Sequence, residues 1–234
     1  MDTATKETTR NSDLNIIDHR VYPLYYPLSY SGGQAGYYLY VKRTFDIMAS
    51  LVLILCLLSW LYPLLALIIN MSSKGGTLFI QKRVGLNGKV FRCLKFRTMV
   101  INDKSDLVGA AWNDKRITRI GKILRATYID ELPQLINVLK GEMSIVGPRP
   151  HMLYHHQRFS AELPQYNYRH WVKPGITGLA QVKGYHGWLS NKYDIYGRTR
   201  LDLFYVQRSS FGLDMMILLK TVSVVLLFNK NIQR

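Results

Sequence analysis

The sequence predicts an α+β protein that is mostly helical, attached to a membrane and furnished with one small β-hairpin. Three observations predict it. Between Asp46 and Lys74 the 27 residues 47–73 carry no charge, enough apolar length to fill a bilayer core. In RVGLNGKVFRCLKFRTM, Asn87-Gly88 sits between two strand-like runs, a strong local hairpin signal. Ile117, Ile120 and Leu124 recur at helical spacing, with Arg116, Arg119, Lys122 and Arg125 on the other positions. Such a helix suits anionic lipid headgroups, or simply shows a basic face to solvent.

Composition narrows the class. Thirty-one Lys and Arg against 15 Asp and Glu give a net charge of +16 over 234 residues. That excess calls for an anionic partner: nucleic acid, acidic lipid or a phosphorylated substrate. Cys56 and Cys93 are the two cysteines; they form neither a disulfide framework nor a zinc-type pair, which points to a reducing, cytoplasmic setting.

Along the chain, residues 1–20 are polar and without periodicity, and no cleavable signal peptide is evident. Residues 21–40, VYPLYYPLSYSGGQAGYYLY, are rich in Tyr, Pro, Gly and Ser. They are not expected to form a packed element; a tail and a stretch lying at the water–lipid boundary are both open. The uncharged run follows, with Pro63 inside it. Pro63 has no N–H, so the carbonyl of Ser59 loses its helical partner. A break there leaves legs of roughly 24 Å (47–62) and roughly 15 Å (64–73), neither of which spans the ~30 Å hydrocarbon core. The Ser59 hydroxyl is placed to satisfy a freed backbone group. Lys42 and Arg43 precede the run, and Lys74, Lys82 and Arg83 follow it. Basic residues favour the cytoplasmic side, so both flanks suit a segment that enters and returns, while a kinked span stays open. Beyond the hairpin and the basic helix, FGLDMMILLKTVSVVLLF is interrupted by Asp214 and Lys220 and reads as an interfacial or core helix.

Chemistry concentrates in three places. Asp130-Glu131 precedes Leu132-Pro133, and a proline is tolerated in a helix's first turn, so a helix is expected to start at or near Asp130. There the dipole stabilises an ionised carboxylate, which near Arg125 would serve as a nucleophile toward phosphorus or a Mg²⁺ ligand, or merely cap the helix. In Gly147-Pro148-Arg149-Pro150 the two prolines stiffen the loop, presenting a guanidinium whose planar fork suits phosphate. Lys95 and Arg97 share one strand face beside Phe91 and Cys93 and are further phosphate-binding candidates. His151 and His155 are spaced to share one helical face, but with no third ligand in view they are expected to be exposed, like His156.

In this order, VKRTFDIMAS, QKRVGLNGKVFRCLKFRTM, RITRIGKILRATYIDELPQLINVLKGEMSIVGPRP and VKPGITGLAQVKG followed by LDLFYV resemble the bacterial sugar transferases that are monotopic polyprenyl-phosphate phosphoglycosyl transferases, over about residues 40–228. The resemblance implies a monotopic membrane protein at the bacterial inner membrane: a Tyr/Pro/Gly-rich extension to residue 40, a re-entrant helix over 41–73 broken at Pro63, and a cytoplasmic catalytic domain over 74–234 with interfacial helices. It implies transfer of a sugar-1-phosphate from a UDP-sugar to undecaprenyl phosphate, with UMP released, as the initiating step of glycan assembly. Asp130 would be the nucleophile forming a covalent phosphosugar intermediate, Glu131 its helper, Arg125 a phosphate-facing residue and Arg149 part of the nucleotide-binding motif, with Mg²⁺ as cofactor at Asp130. Partners would be the two substrates and membrane lipids, not nucleic acid, with a homodimer left open. The chain departs from the family pattern at Tyr62 before the proline, Lys115, Tyr128-Ile129, His186 and Trp188. GYHGWLSNKYDIYGRTRLDLFYV looks more like the loop of hexose-1-phosphate transferases than that of acetamido-sugar enzymes. The competing readings are a non-catalytic membrane-anchored basic module that binds nucleic acid or acidic lipid, and a phospholipid-synthesis enzyme with a nucleotide–lipid donor.

Overall fold

A computed structural model describes residues 32–102, 105, 114–185 and 192–231. It is mostly helical, with an antiparallel hairpin as expected and a second, parallel pair of short strands that no sequence signal announced. The chain opens with α1 (Gly32–Leu53), a π-helical turn (Ile54–Leu58) and α2 (Ser59–Ser72) in succession. Among the described residues one helix, Tyr38–Ser72, is long and apolar enough to cross a membrane.

Two expectations about this segment change. Residues 32–40 are helical, not a loose tail, because α1 is fastened by its neighbours. Tyr38 Oη and Lys42 Nζ both donate to Asp214 Oδ2, at 2.9 and 2.8 Å. And helical geometry continues through Pro63; the irregularity is the π turn at Ile54–Leu58, centred about two turns earlier, where the Ser59 N–H reaches back to the Ile54 carbonyl. Widening the turn there relieves the crowding that a proline ring imposes on the preceding turn. The carbonyls loosened by it find side-chain donors: Ser59 Oγ to Leu55 at 2.7 Å and Trp60 Nε1 to Cys56 at 3.0 Å.

Both halves of this helix are bound to one body. Near its start, Arg43 donates to the Val138 and Leu139 carbonyls at 2.6 and 2.8 Å. Asp46 accepts from Ser144 Oγ and the Ile145 N–H at 3.1 and 3.0 Å. Near its end, Leu65 and Ile69 pack with Leu58, Phe96 and Leu124. The rest is apolar and bare: Leu55, Trp60, Leu67 and Met71 are all more than half exposed.

The hairpin pairs β1 (Leu78–Val84) with β2 (Val90–Phe96), Val84 opposite Val90 and Phe79 opposite Lys95. Asn87 and Gly88 both take positive φ in the turn, 53° and 75°, where a small polar residue and a glycine are least strained. α3 (Arg119–Ala126) leads through a 3₁₀ turn (Ile129–Glu131) to α4 (Gln134–Leu139). Buried Asn137 on α4 stitches the edge of β2, accepting from the Leu94 N–H and donating to the Arg92 carbonyl. β3 (Ser144–Val146) pairs in parallel with β4 (Gly175–Thr177), with α5 (Leu153–Glu162) and a 3₁₀ segment (Tyr166–Trp171) between them. α6 (Leu179–Val182), α7 (Lys192–Arg208) and α8 (Phe211–Asn231) complete the described chain. α8 is part core helix, with Ile217 fully buried and Leu219 and Val222 exposed.

The histidines correct a further expectation. α5 begins at Leu153, so His151 precedes it instead of sharing a face with His155. His151 is buried, its Nδ1 2.6 Å from Tyr166 Oη, and His155 and His156 are half-buried among aromatic rings.

Candidate active site

The site forms where α3, the turn after it and β2 meet. Thr118 caps α3, its hydroxyl accepting from the Gly121 N–H at 3.0 Å. Gly121 permits the close approach that follows: a Cβ there would stand 2.0 Å from the Thr98 carbonyl oxygen. This contact brings Arg125, one turn on, within 2.7 Å of Thr98 Oγ1 through its Nε. Its two terminal nitrogens have no partner among the described residues, so its fork is open.

After α3 the chain reverses at Tyr128, whose φ of 58° is rare for a tyrosine; such strain persists only when the surroundings fix it. Asp130 and Glu131 fall in the 3₁₀ turn that follows, both 7% exposed. α4 starts later than expected, at Gln134 with Pro133 as its cap, so the carboxylates stand a turn ahead of it and are governed by side chains rather than by helical N–H groups.

The two carboxylates differ sharply in their partners. Glu131 accepts from Lys95 Nζ at 2.5 Å and from both ends of the Arg149 fork, at 2.6 and 3.1 Å. Burial alone would raise its pKa, but Arg149 and Lys95 outweigh burial and hold it well below the usual carboxylate range. Asp130 accepts no hydrogen bond among the described residues. Burial, reinforced by the neighbouring Glu131 charge, pushes its pKa up to about 6 against the pull of Lys95, Arg125 and Arg149. Burial also lowers the pKa of Lys95, though Glu131 opposes that.

Of the predicted residues, Asp130, Glu131, Lys95, Arg125 and Arg149 come together. Arg149 spends its fork on Glu131, so the fork left open for an oxyanion is that of Arg125. Arg97 does not join them. Its guanidinium donates to the carbonyls of Ser73, Lys74 and Gly76 and to Ser73 Oγ, at 2.6–2.8 Å. It closes the C-terminal end of α2, a structural post, because Arg97 lies just past the last residue of β2, Phe96. Arg83, read only as a basic flank, belongs to the site instead. It donates to the Pro150 carbonyl at 2.8 Å and to Gln81 Oε1, within the electrostatic reach of Asp130, Glu131 and Arg149. The hairpin register was the available signal, since Arg83 faces the same side as Phe91, Cys93 and Lys95. Arg169 and Asp202, both 2% exposed and 33 positions apart, form an ion pair behind the Arg149 loop that no local pattern announced. His186 and Trp188 lie outside the described residues.

No group of three or more His, Cys, Asp or Glu among the described residues would cage a metal. Mg²⁺ does not require such a cage: it keeps several waters and is held through one or two carboxylates plus substrate phosphates. The unengaged oxygens of Asp130 fit that demand, and those of Glu131, already taken by Lys95 and Arg149, do not.

The chain's relatives share a family but are named for different sugars. A family model described as bacterial sugar transferase matches residues 37–228. A UDP-glucose:undecaprenyl-phosphate glucose-1-phosphate transferase of Caulobacter vibrioides is 45% identical over 186 residues, 79% of this chain and 69% of the relative. The exopolysaccharide production protein PSS of Rhizobium leguminosarum bv. phaseoli is 45% identical over 190 residues, 79% of this chain and 94% of that one. A UDP-N-acetylgalactosamine-undecaprenyl-phosphate N-acetylgalactosaminephosphotransferase of Aeromonas hydrophila is 42% identical over 192 residues, 81% of this chain but 44% of its own length.

Proposed function

This chain belongs to the bacterial sugar transferase family, and we propose that it moves a hexose-1-phosphate from a UDP-hexose to undecaprenyl phosphate, releasing UMP, as an initiating step of exopolysaccharide assembly. One observation carries the reading: a buried, unengaged aspartate surrounded by Lys95, Arg125, Arg149 and Arg83, beside a bare apolar helix. Cations around a carboxylate allow it to approach an anionic diphosphate, and the apolar helix brings the same site to a lipid-borne acceptor.

The reaction divides in two. An Asp130 carboxylate oxygen attacks the sugar-bearing phosphorus of the UDP-hexose. The Asp130–phosphorus bond forms, the phosphorus–oxygen bond to UMP breaks, and UMP leaves with the bridging oxygen and its electron pair. An undecaprenyl phosphate oxygen then attacks the same phosphorus, forming the diphosphate and freeing Asp130. Neither step requires a proton from the protein. The open Arg125 fork would hold the phosphate oxygens, while Glu131 fixes Lys95 and Arg149 alongside. Mg²⁺ held by Asp130 and the diphosphate would neutralise charge on the substrate.

The membrane reading follows from the fastening of the apolar helix. Arg43 and Asp46 at its start and Leu65 and Ile69 near its end bind one body, which supports a segment that enters the inner membrane and returns, with both ends cytoplasmic. A span would carry one of those anchors to the far side.

Mass spectrometry tests the central claim. Enzyme, Mg²⁺ and UDP-glucose without lipid should release about one equivalent of UMP per site and leave a phosphosugar on the peptide containing Asp130. A panel with UDP-galactose and UDP-N-acetylgalactosamine would identify the sugar. Full turnover in Asp130→Asn, with no adduct in the wild type, would sink the covalent route; steep salt-dependent DNA binding without turnover would favour a basic binding module.

A further inference from the structure

Arg149 has an unusual mounting. It lies between Pro148 and Pro150, neither of which has an N–H, so most handles on this loop must be carbonyls. Each is gripped by a different element. Tyr205 Oη donates to the Val146 carbonyl at 3.2 Å, the Gly175 N–H to Pro148 at 3.0 Å and Arg83 to Pro150 at 2.8 Å. The Arg149 carbonyl takes Arg169 Nη2 at 2.7 Å. That nitrogen also donates to Asp202 Oδ2 at 2.6 Å, and Arg169 Nε donates to the same oxygen at 3.0 Å. The Arg169 guanidinium lies 5.2 Å from the centre of the fully buried Tyr166 ring.

We propose that Arg169, oriented by Asp202, is a positioning residue that sets where the Arg149 guanidinium meets Glu131. The path is continuous: Asp202 on α7, Arg169, the Arg149 carbonyl, the Arg149 fork, Glu131 and, next in the chain, Asp130. A buried ion pair is a poor source of stability, since removing two charges from water offsets most of their attraction. What this pair supplies is direction. The fork has Nε and Nη2 fixed on one Asp202 oxygen, so Nη2 projects its other hydrogen at a set angle onto the loop. A lysine would keep the charge and lose that geometry.

The inference rests on the transferase reading only for its kinetic arm. In Arg169→Lys, UMP release from UDP-glucose should fall on the order of 100-fold, the scale expected when a reacting group is displaced by about an ångström. Because Arg169 acts through Arg149, the double variant with Arg149→Lys should be no slower than Arg149→Lys alone; additive losses would overturn the inference. A second readout needs no turnover. Phenylglyoxal modification of Arg149 in the full-length protein, followed on its peptide by mass spectrometry, should speed up several-fold in Arg169→Lys as the Glu131 clasp loosens. Unchanged Arg149 reactivity in folded protein would overturn the inference as well. Asp202→Asn repeats both measurements should Arg169→Lys not accumulate. A wild type inert toward every UDP-sugar would defeat the transferase reading and leave the reactivity arm to decide this one.

Discussion

Glu131→Gln should weaken the fold and shift the pH profile of the enzyme in a direction that the geometry dictates. The wild-type carboxylate faces Lys95 at 2.5 Å and Arg149 at 2.6 Å, with side-chain exposures of 9, 14 and 24% for the three residues. The amide leaves two cations without their counter-charge, and breaking a buried pair in this way costs about 3–5 kcal/mol. For a chain of this size that is a fall in Tm of roughly 6–20 °C, readable by circular dichroism in detergent. Since Glu131 titrates well below its ordinary 4.5, its stabilisation is present above 4.5 and lost as pH falls through the folded value. The gap between wild type and Glu131→Gln should therefore close in acid. Asp130 runs the other way: raised from 3.8 to about 6, it contributes stability below 3.8 that is lost as pH rises through about 6. Catalysis follows the ionised form of Asp130, so the wild-type UMP burst should rise with pH through about 6. Like charges a few ångströms apart at an effective dielectric near 20 repel by about 3–4 kcal/mol. Even a third of that, relieved in Glu131→Gln, lowers the limb by about one pH unit. The burst at pH 8 should slow, because Lys95 and Arg149 lose their anchor, yet the adduct on Asp130 should still form. A limb that stays put or moves up would refute the electrostatic account of the pair.

Three further outcomes follow from particular contacts. Arg125→Lys keeps the charge and loses the fork anchored on Thr98, so the UMP burst should drop at least tenfold with Tm within ~2 °C of wild type; an unchanged burst would remove Arg125 from the phosphate site. Arg97→Ala strips the C-terminal end of α2 of its donors and should cost at least about 2 kcal/mol, roughly 4–8 °C in Tm, while protein that remains folded still forms the adduct; loss of the adduct at full stability would return Arg97 to the active site. Single cysteines at positions 41 and 74, in a Cys-free background, should both resist a membrane-impermeant thiol reagent applied to whole cells, and labelling of position 41 alone would establish a span.

What was legible in the sequence was local. The Asn87-Gly88 hairpin, the basic helix ahead of Arg125, the acidic pair before Pro133 and the rigid Gly-Pro-Arg-Pro loop all declare themselves through spacing and backbone chemistry. What escaped was set by contacts between distant residues. Residues 32–40 look unfit for a packed element until Asp214 on α8 collects Tyr38 and Lys42. Arg97 looks like a partner of Lys95 by alternation, but β2 ends at Phe96, and the next side chain turns to the end of α2. The parallel pairing of β3 with β4 joins two three-residue strands, too short to carry a periodicity. The expected break at Pro63 appears as a π turn centred seven residues earlier, because a widened turn accommodates a proline without ending the helix.

The difference between the two carboxylates explains why the site needs a pair. A single aspartate among Lys95, Arg125 and Arg149 would be drawn into ion pairs, its oxygens occupied and its pKa depressed, and a weakly basic, occupied carboxylate is a poor nucleophile. Glu131 takes Lys95 and the Arg149 fork onto itself. It thereby keeps two cations in the site without letting them consume the oxygens of Asp130. Its own negative charge, added to burial, lifts the Asp130 pKa to about 6. That value leaves the group roughly nine-tenths ionised at pH 7 and more basic than an ordinary aspartate. The strained backbone at Tyr128 and the late start of α4 belong to the same arrangement. They leave Asp130 unengaged within the electrostatic reach of Lys95 and Arg125 while Glu131 is clasped by Lys95 of the hairpin and by Arg149, so adjacent residues of one turn have different partners.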